Sequence, residues 1–498
     1  MKGVWTHRKN MLTILWMFFM GFLQSQHHDQ QYYPEDDPLV IEKLEKWQDL
    51  KFGLLMHWGP YSQWGVVESW SICPEDKGWT QRNKPGSPTT YDTYVKAYEN
   101  LQTTFNPIKF NPEKWAKAAY EAGMKYLVFT TKHHDGFCMF DTKYSDYKIT
   151  DMRTPFHTHK KANITKELFE AFREKGLWTG AYFSKPDWNN DDYWWPYFPP
   201  KDRNVNYDPA SYPERWENFV KFTHNQIMEL ATDYGKLDIL WLDGGWVRKH
   251  SKAEIHDFYT QSLVDNSTGF INGTMVDQDI RMDELVSKVR KKQPGLIVVD
   301  RAVEGKNQNY LTPENRVPEA SLPFPWESCI IAGGGWSYTP KATYMSGYSA
   351  IKMLVDIVCK GGNLLLNIAP GPDGTWHNEA YQLLKEIGEW IDINGEGIYG
   401  TRAIPPFKNG KLCYTRKNNT ADVYAFYVNG EGENKIPEYI QIDDFQPSPL
   451  MKVSLLGSKE NIVWTAEGSG ILVELPDKVR QNPPGDYIWC IKLENIKI

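Results

Sequence analysis

One pattern dominates the chain up to about residue 400. Short apolar, β-rich runs lie at Lys51–Gly59, Lys125–Thr131, Leu177–Ser184, Leu237–Leu242, Gly295–Asp300 and Asn363–Ile368. Between and after them come segments of helical periodicity at Pro112–Gly123, Ile164–Gly176, Pro213–Gly235, Met282–Lys292, Ser346–Gly361 and Glu379–Asn394. Such alternation predicts a parallel sheet covered on both faces by helices. Two observations favour closure into a (β/α)8-like TIM barrel over a doubly wound sheet. No glycine-rich phosphate turn follows the first strand, and Gly333-Gly334-Gly335 stands in another context. Polar or ionisable residues also follow nearly every run: His57, His133, His134, Tyr182, Asp243, Arg301 and Asn367. A barrel of this kind collects its active site from the C-terminal ends of many strands.

The pattern changes near Gly400. Short alternating runs with several Pro and Gly replace the helices, which predicts a C-terminal antiparallel β-sandwich. The expected boundary is Ile404–Pro406, giving a barrel domain over 27–403 and a sandwich over 404–498. At the other end, Lys2, Arg8 and Lys9 precede an apolar run, Met11–Leu23, and then Gln24-Ser25-Gln26. That is the layout of a signal peptide over 1–26, and the run is short for a membrane span of ~20 residues. The expectation is export to a periplasmic or secreted location, or a lysosomal-type route, with no membrane insertion after signal removal. Export permits disulfides, but the six scattered cysteines include no C-x-x-C pair that would suggest a zinc or redox site.

Charge narrows the function. Lys and Arg number 56 against 63 Asp and Glu, without basic runs, which argues against nucleic acid as a partner. Aromatic residues make up 14% of the chain, with 21 Trp. Aromatic faces stack on the C–H faces of sugars, and the placement of Trp58, Trp70, Trp241, Trp246 and Trp336 near strand ends or in active-side loops favours a sugar-handling face over a merely Trp-rich core. The segment 184–207 after the third strand is dense in Trp, Tyr, Pro and acid; it reads equally as a wall of further sugar subsites or as a lid packed on itself.

Asp243 in Ile239-Leu-Trp-Leu-Asp-Gly-Gly-Trp246 places a carboxylate directly after an apolar strand, and the glycine pair allows close approach of a ligand. Glycoside hydrolysis needs a second carboxylate; Glu314, Glu319 and Glu327 are the candidates, and the residues alone do not rank them. In Lys132-His-His-Asp-Gly-Phe137, adjacent strand residues point to opposite faces, so His133 and His134 are not expected to share a metal ion. Neutral imidazoles bonded to sugar hydroxyls suit them, and His57 beside Trp58, better. No metal or cofactor is expected.

Four motifs in order carry a resemblance: Lys51-Phe-Gly-Leu-Leu-Met-His-Trp-Gly59; Thr131-Lys-His-His-Asp-Gly-Phe137 with Lys143-Tyr-Ser-Asp-Tyr147; Leu240-Trp-Leu-Asp-Gly-Gly-Trp246; and Lys360-Gly-Gly-Asn-Leu-Leu-Leu-Asn-Ile-Ala-Pro370 followed by Asp373-Gly374. Over roughly 45–400 the chain resembles glycoside hydrolase family 29, the α-L-fucosidases, and its tail fits the family's C-terminal sandwich. The resemblance implies an exo-acting, retaining hydrolase of fucosylated glycans, with Asp243 as nucleophile and Glu314 as acid/base, Glu327 being the alternative. It implies substrate contacts from His57, Glu68, Trp70, His133, His134, Tyr182, Trp241, Arg301 and Trp336. Two departures touch the pocket edge. Glu68-Ser69-Trp70 spaces a commonly adjacent Glu-Trp pair, and Ala302 follows Arg301 where Trp is frequent. They open a second expectation, an α-L-galactosidase acting on an L-galactose-containing polysaccharide. The expectation from another class is a non-catalytic carbohydrate-binding protein.

Overall fold

A computed structural model describes residues 31–75, 80, 90–265 and 273–496. The expected signal peptide lies outside the described residues. The first element is a helix missed in the sequence, α1 (Pro38–Leu50), capped by the Asp37 side chain on the Leu39 N–H. Seven parallel strands follow in the chain: β1 (Phe52–Met56), β2 (Tyr126–Lys132), β3 (Trp178–Ser184), β4 (Ile239–Asp243), β5 (Ile297–Asp300), β6 (Glu327–Ile331) and β7 (Asn363–Asn367). Their spatial order is β5-β4-β3-β2-β1-β7-β6. The gap between β5 and β6 is spanned by the segment 308–314, which makes isolated bridges from Gln308 to Val299, Leu311 to Trp326 and Glu314 to Cys329. The sheet is TIM-like, with an irregular stretch at the position of an eighth strand.

Nearly every residue of these strands is buried, because helices cover the outside and side chains fill the inside. The helices that follow α1 are α2 (Tyr91–Glu99), α3 (Pro112–Glu121), α4 (Ile164–Glu174), α5 (Pro213–Asp233), α6 (Lys252–Asp265), α7 (Met282–Lys292), α8 (Gly347–Cys359) and α9 (Asn378–Asn394); α6 buries none of its described residues, and α2 packs on the loop cluster around Trp188. The sequence announces α3 clearly: Asn111 caps it through the Lys114 N–H at 2.8 Å, and Pro112 occupies its first turn. No helix among the described residues is long and apolar enough to cross a membrane.

Beyond α9 the chain becomes antiparallel. β8 (Thr401–Asn409), β9 (Leu412–Lys417), β10 (Val423–Val428), β12 (Lys452–Leu455) and β15 (Ile488–Glu494) form a five-stranded sheet. β11 (Tyr439–Ile442), β13 (Val463–Glu467) and β14 (Gly470–Glu474) form a second one. They enclose their own apolar core, which includes Tyr414, Ala425, Ile440, Ile471 and Trp489. The sandwich also packs on the barrel: the Trp390 indole on α9 donates to the Ile488 carbonyl at 2.8 Å. All six cysteines are buried free thiols.

Candidate active site

The strands run in one direction, so their C-terminal ends share one face of the barrel. Asp243 closes β4 there. Gly244 follows with φ +88, and a side chain at that position would collide with Pro186, so only glycine turns the chain away from the strand here. The Asp243 carboxylate accepts from the Tyr182 hydroxyl at 2.7 Å and from Arg301 Nη1 at 3.0 Å. Burial opposes its ionisation, but the Arg301 charge and the Tyr182 hydroxyl outweigh burial and hold the carboxyl well below the usual carboxylate range.

Arg301 extends from just past β5, and its second nitrogen, Nη2, pairs with Glu314 Oε2. One guanidinium therefore bridges Asp243 and Glu314. The other Glu314 oxygen accepts from the Trp336 indole at 3.1 Å. Trp336 in turn packs against the His57 ring, with centroids 5.3 Å apart.

The three pocket histidines come together as well. His133 and His134 lie beyond the end of β2, not on it, and their ring centroids are 4.2 Å apart. The expectation that alternation would send them to opposite faces fails because the strand has already ended. His134 Nε2 lies 3.8 Å from Asp243 Oδ2, and His133, His134 and Asp243 offer potential ligand atoms within 4.8 Å of one another. Burial lowers all three imidazoles, His57 to about 4, His134 to about 3 and His133 well below the usual range. The pocket is thus lined by neutral rings.

Glu68 sits at the rim in a strained backbone conformation, φ 21 and ψ −133. Its carboxyl is buried, one oxygen lacks a hydrogen-bond partner, and burial pushes its pKa up to about 8. Trp70 and Trp246 flank His134 at ring distances of 5.2 Å each. Trp241 stacks on Tyr182 at 5.1 Å.

Other candidates lie apart. Glu327 is the first residue of β6, at the N-terminal end of the strands and fully buried. It accepts from the Tyr126 hydroxyl at 2.5 Å and faces the Trp241 indole at 3.4 Å. It is neither a loop residue nor near the open face. Glu319 is exposed. Trp58 belongs to the core: it packs on Phe105, Phe110 and Trp115, and its indole donates to the Gly371 carbonyl.

The segment 184–207 packs on itself and on the residues around His134. Trp188, Tyr193 and Trp194 are buried, and the Trp188 ring reaches 5.1 Å from His134. Its Arg203 lies over the Trp70 and Trp246 rings at 4.7 and 5.0 Å and pairs with Glu75. Tyr197, by contrast, is 83% exposed at the outer edge. Sequence reasoning missed Arg203, Ser337, which donates to the Val66 carbonyl beside Glu68, and Ser69. Only Ser69 carried a signal, as the spacer between two flagged residues.

Paired carboxylates at the open end of a TIM-like barrel, walled by neutral imidazoles and indoles, define a glycoside hydrolase site. Comparisons with known proteins agree. The family profile described as Alpha-L-fucosidase matches residues 20–396, and the Alpha-L-fucosidase C-terminal domain profile matches 407–494. The chain belongs to the α-L-fucosidase family. It is 29% identical to the human plasma α-L-fucosidase, covering 94% of each chain, and 27% identical to the human tissue α-L-fucosidase, covering 97% of each. Among solved structures, the α-L-fucosidase isoenzyme 1 from Paenibacillus thiaminolyticus superposes with a TM-score of 0.70 at 26% identity, over 92% of this chain and all of that one. An α-L-fucosidase from Bacteroides thetaiotaomicron shares the fold with a TM-score of 0.68 at 23% identity, over 93% of this chain and 96% of that one.

Proposed function

We propose that the protein is an exo-acting, retaining α-L-fucosidase in which Asp243 is the nucleophile and Glu314 the acid/base. The observation that carries this reading is the shared Arg301 guanidinium, which gathers both carboxylates at one place on the open face. Asp243, kept ionised, attacks the anomeric carbon and forms a glycosyl-enzyme as the glycosidic bond breaks. Glu314 delivers a proton to the leaving oxygen, then takes one from the water that releases the sugar. His57, His133, His134 and Glu68 supply hydrogen bonds to ring hydroxyls; Trp70, Tyr182, Trp241 and Trp336 shape the wall. The reaction requires no metal or organic cofactor.

The substrate is a fucosylated glycan presenting its terminal sugar to the face that holds Asp243 and Glu314. The chain is read as an exported protein with a barrel domain followed by a sandwich; the expected boundary at 403/404 falls inside β8, whose pairing begins at Thr401. The basic, then apolar, N-terminal segment and the plasma relative support the export reading.

The test is an aryl α-L-fucoside assay. Asp243→Asn lowers kcat roughly a thousandfold or more; near-native turnover rules out the nucleophile role. Glu314→Ala retains turnover of activated leaving groups and is accelerated by azide, whereas Glu327→Ala shows no azide response. An aryl α-L-galactoside run in parallel reports on the altered pocket edge, with the fucoside expected to be preferred.

A further inference from the structure

Two of the pocket histidines are held by partners of opposite hydrogen-bonding sense. Ser69, the residue inserted between Glu68 and Trp70, places its Oγ 2.5 Å from His133 Nδ1. The same oxygen accepts the Asp135 N–H at 2.9 Å. Ser69 is fully buried, so its single hydroxyl proton must find an acceptor locally, and His133 Nδ1 lies within reach. If Nδ1 carried a proton instead, two donors would point at Oγ and the hydroxyl proton would be stranded.

On the other side of the pocket, His57 Nδ1 lies 3.0 Å from Asn367 Oδ1. The orientation of that amide is settled by its nitrogen, which donates to the carbonyls of Trp336 at 2.9 Å and Gly335 at 3.3 Å. Turning the amide over would set its oxygen against both carbonyls. Asn367 therefore presents an acceptor, and His57 Nδ1 must donate. The Nε2 atoms of both rings have no hydrogen-bond partner among the described residues, and the rings stand 5.7 Å apart.

We infer that Ser69 and Asn367 are positioning residues that lock His133 and His57 in opposite neutral tautomers, so that the pocket offers a sugar one imidazole donor, His133 Nε2–H, and one imidazole acceptor, His57 Nε2. A ligand hydroxyl both donates and accepts, but only in set directions. A donor and an acceptor on neighbouring rings therefore select which way its proton points, and with it the stereochemistry of the carbon that bears it. The spacer in Glu68-Ser69-Trp70 thereby acquires a role. The inference rests on the glycosidase reading for its sugar, but the tautomers themselves do not depend on it.

The test is long-range ¹H–¹⁵N correlation of imidazole nitrogens in the full-length, ligand-free protein, with assignments from His57→Gln and His133→Gln. His57 is expected to show a pyrrole-type Nδ1 and a pyridine-type Nε2, and His133 the reverse. The same tautomer in both rings, or the reverse assignment, overturns the inference whatever the enzyme's activity. In Ser69→Ala the His133 Nδ1 resonance is expected to move toward that of an unbonded pyridine-type nitrogen, while Ser69→Thr restores it. An unmoved resonance in Ser69→Ala removes Ser69 from the role. With an aryl fucoside, Ser69→Ala is expected to raise KM about tenfold, more than it lowers kcat, and Ser69→Thr to recover most of the loss. Should no fucoside be turned over by the native protein, the glycosidase reading fails while the tautomer result stands on its own.

Discussion

Asp243 and Glu327 occupy opposite ends of one barrel. The first closes β4 at the open face and is 16% exposed on its side chain; the second opens β6 at the far end and is fully enclosed. Both accept hydrogen bonds from a tyrosine hydroxyl, Tyr182 at 2.7 Å and Tyr126 at 2.5 Å. Their ionisation nevertheless diverges. Asp243 is held well below the usual range, and Glu327 is pushed by burial up to about 7. The difference is the cation. Arg301 stands beside Asp243, whereas Glu327 has neutral donors alone to offset desolvation. Hydroxyls and indoles do not keep a carboxylate charged in an apolar barrel; a guanidinium does. Burial is common to both residues, so it does not account for the difference. The charge partner does.

Arg301 is the place to break this contrast. Arg301→Met leaves Asp243 and Glu314 facing each other without the cation between them. Removing one partner of a buried pair costs about 3–5 kcal/mol of stability, and Asp243 then takes up a proton as Glu327 does. Turnover of an aryl α-L-fucoside is expected to fall by roughly a hundredfold or more, with the acid limb of the pH–rate profile moved to higher pH. Calorimetry and a pH series check both parts. Arg301→Lys keeps a charge but loses the fork that reaches both carboxylates, so it recovers stability better than rate.

The far end is sharpened by Glu327→Gln. The folded state holds the Glu327 proton up to about pH 7, whereas the unfolded chain releases it near 4.5. Such a group's stability is fully present below the unfolded value and is lost as pH rises through the folded one. The buried His57, His133 and His134, held below the unfolded imidazole value, favour the folded state as pH rises above 5, whereas Glu327 loses stability between pH 5 and pH 8. Glu68 and Asp135, pushed by burial up to about 8 and about 7, act in the same direction as Glu327. Glutamine mimics the protonated acid, so Glu327→Gln matches the native protein at pH 5 and is the more stable by about 3 kcal/mol at pH 8. Thermal unfolding across that range reads the difference, and activity stays within about tenfold of native because the residue does not reach the open face.

Asp243 was legible in the sequence because a carboxylate directly after an apolar strand has one place to go in a parallel barrel. His57, Tyr182 and Arg301 were legible for the same reason. Glu327 was not. It reads as a carboxylate in a Pro- and Trp-flanked loop, because β6 is five residues long and begins with the polar pair Glu327-Ser328. α1 was hidden by its charged outer face, with Val40, Leu44 and Trp47 alone buried among thirteen residues. The meeting of His133 and His134 was missed because the alternation rule holds within a strand, and β2 ends one residue before them. Periodicity locates elements, but it does not say where a strand's last residue hands over to the turn, and active sites are built on that junction. Trp58 shows the converse: a strand-end position turned into the core by packing on Phe105, Phe110 and Trp115.

The smallest expected effect lies in the contact that Glu314 makes besides the guanidinium. Asp243 and Glu327 each have a tyrosine hydroxyl, and Glu327 also has the Trp241 indole at 3.4 Å; Glu314 has the Trp336 indole at 3.1 Å besides the guanidinium. An indole N–H donates and cannot accept, so Trp336 holds one Glu314 oxygen while Arg301 holds the other. Trp336 also carries the carbonyl that orients Asn367, but that is a backbone group and survives substitution. Trp336→Phe therefore keeps much of the ring against His57 while deleting one charge-assisted hydrogen bond, worth about 1–2 kcal/mol. Turnover of an aryl α-L-fucoside, read as kcat/KM, is expected to fall by roughly tenfold or less. An unchanged kcat/KM would assign Trp336 to the wall alone, and would leave Arg301 as the side chain that positions Glu314.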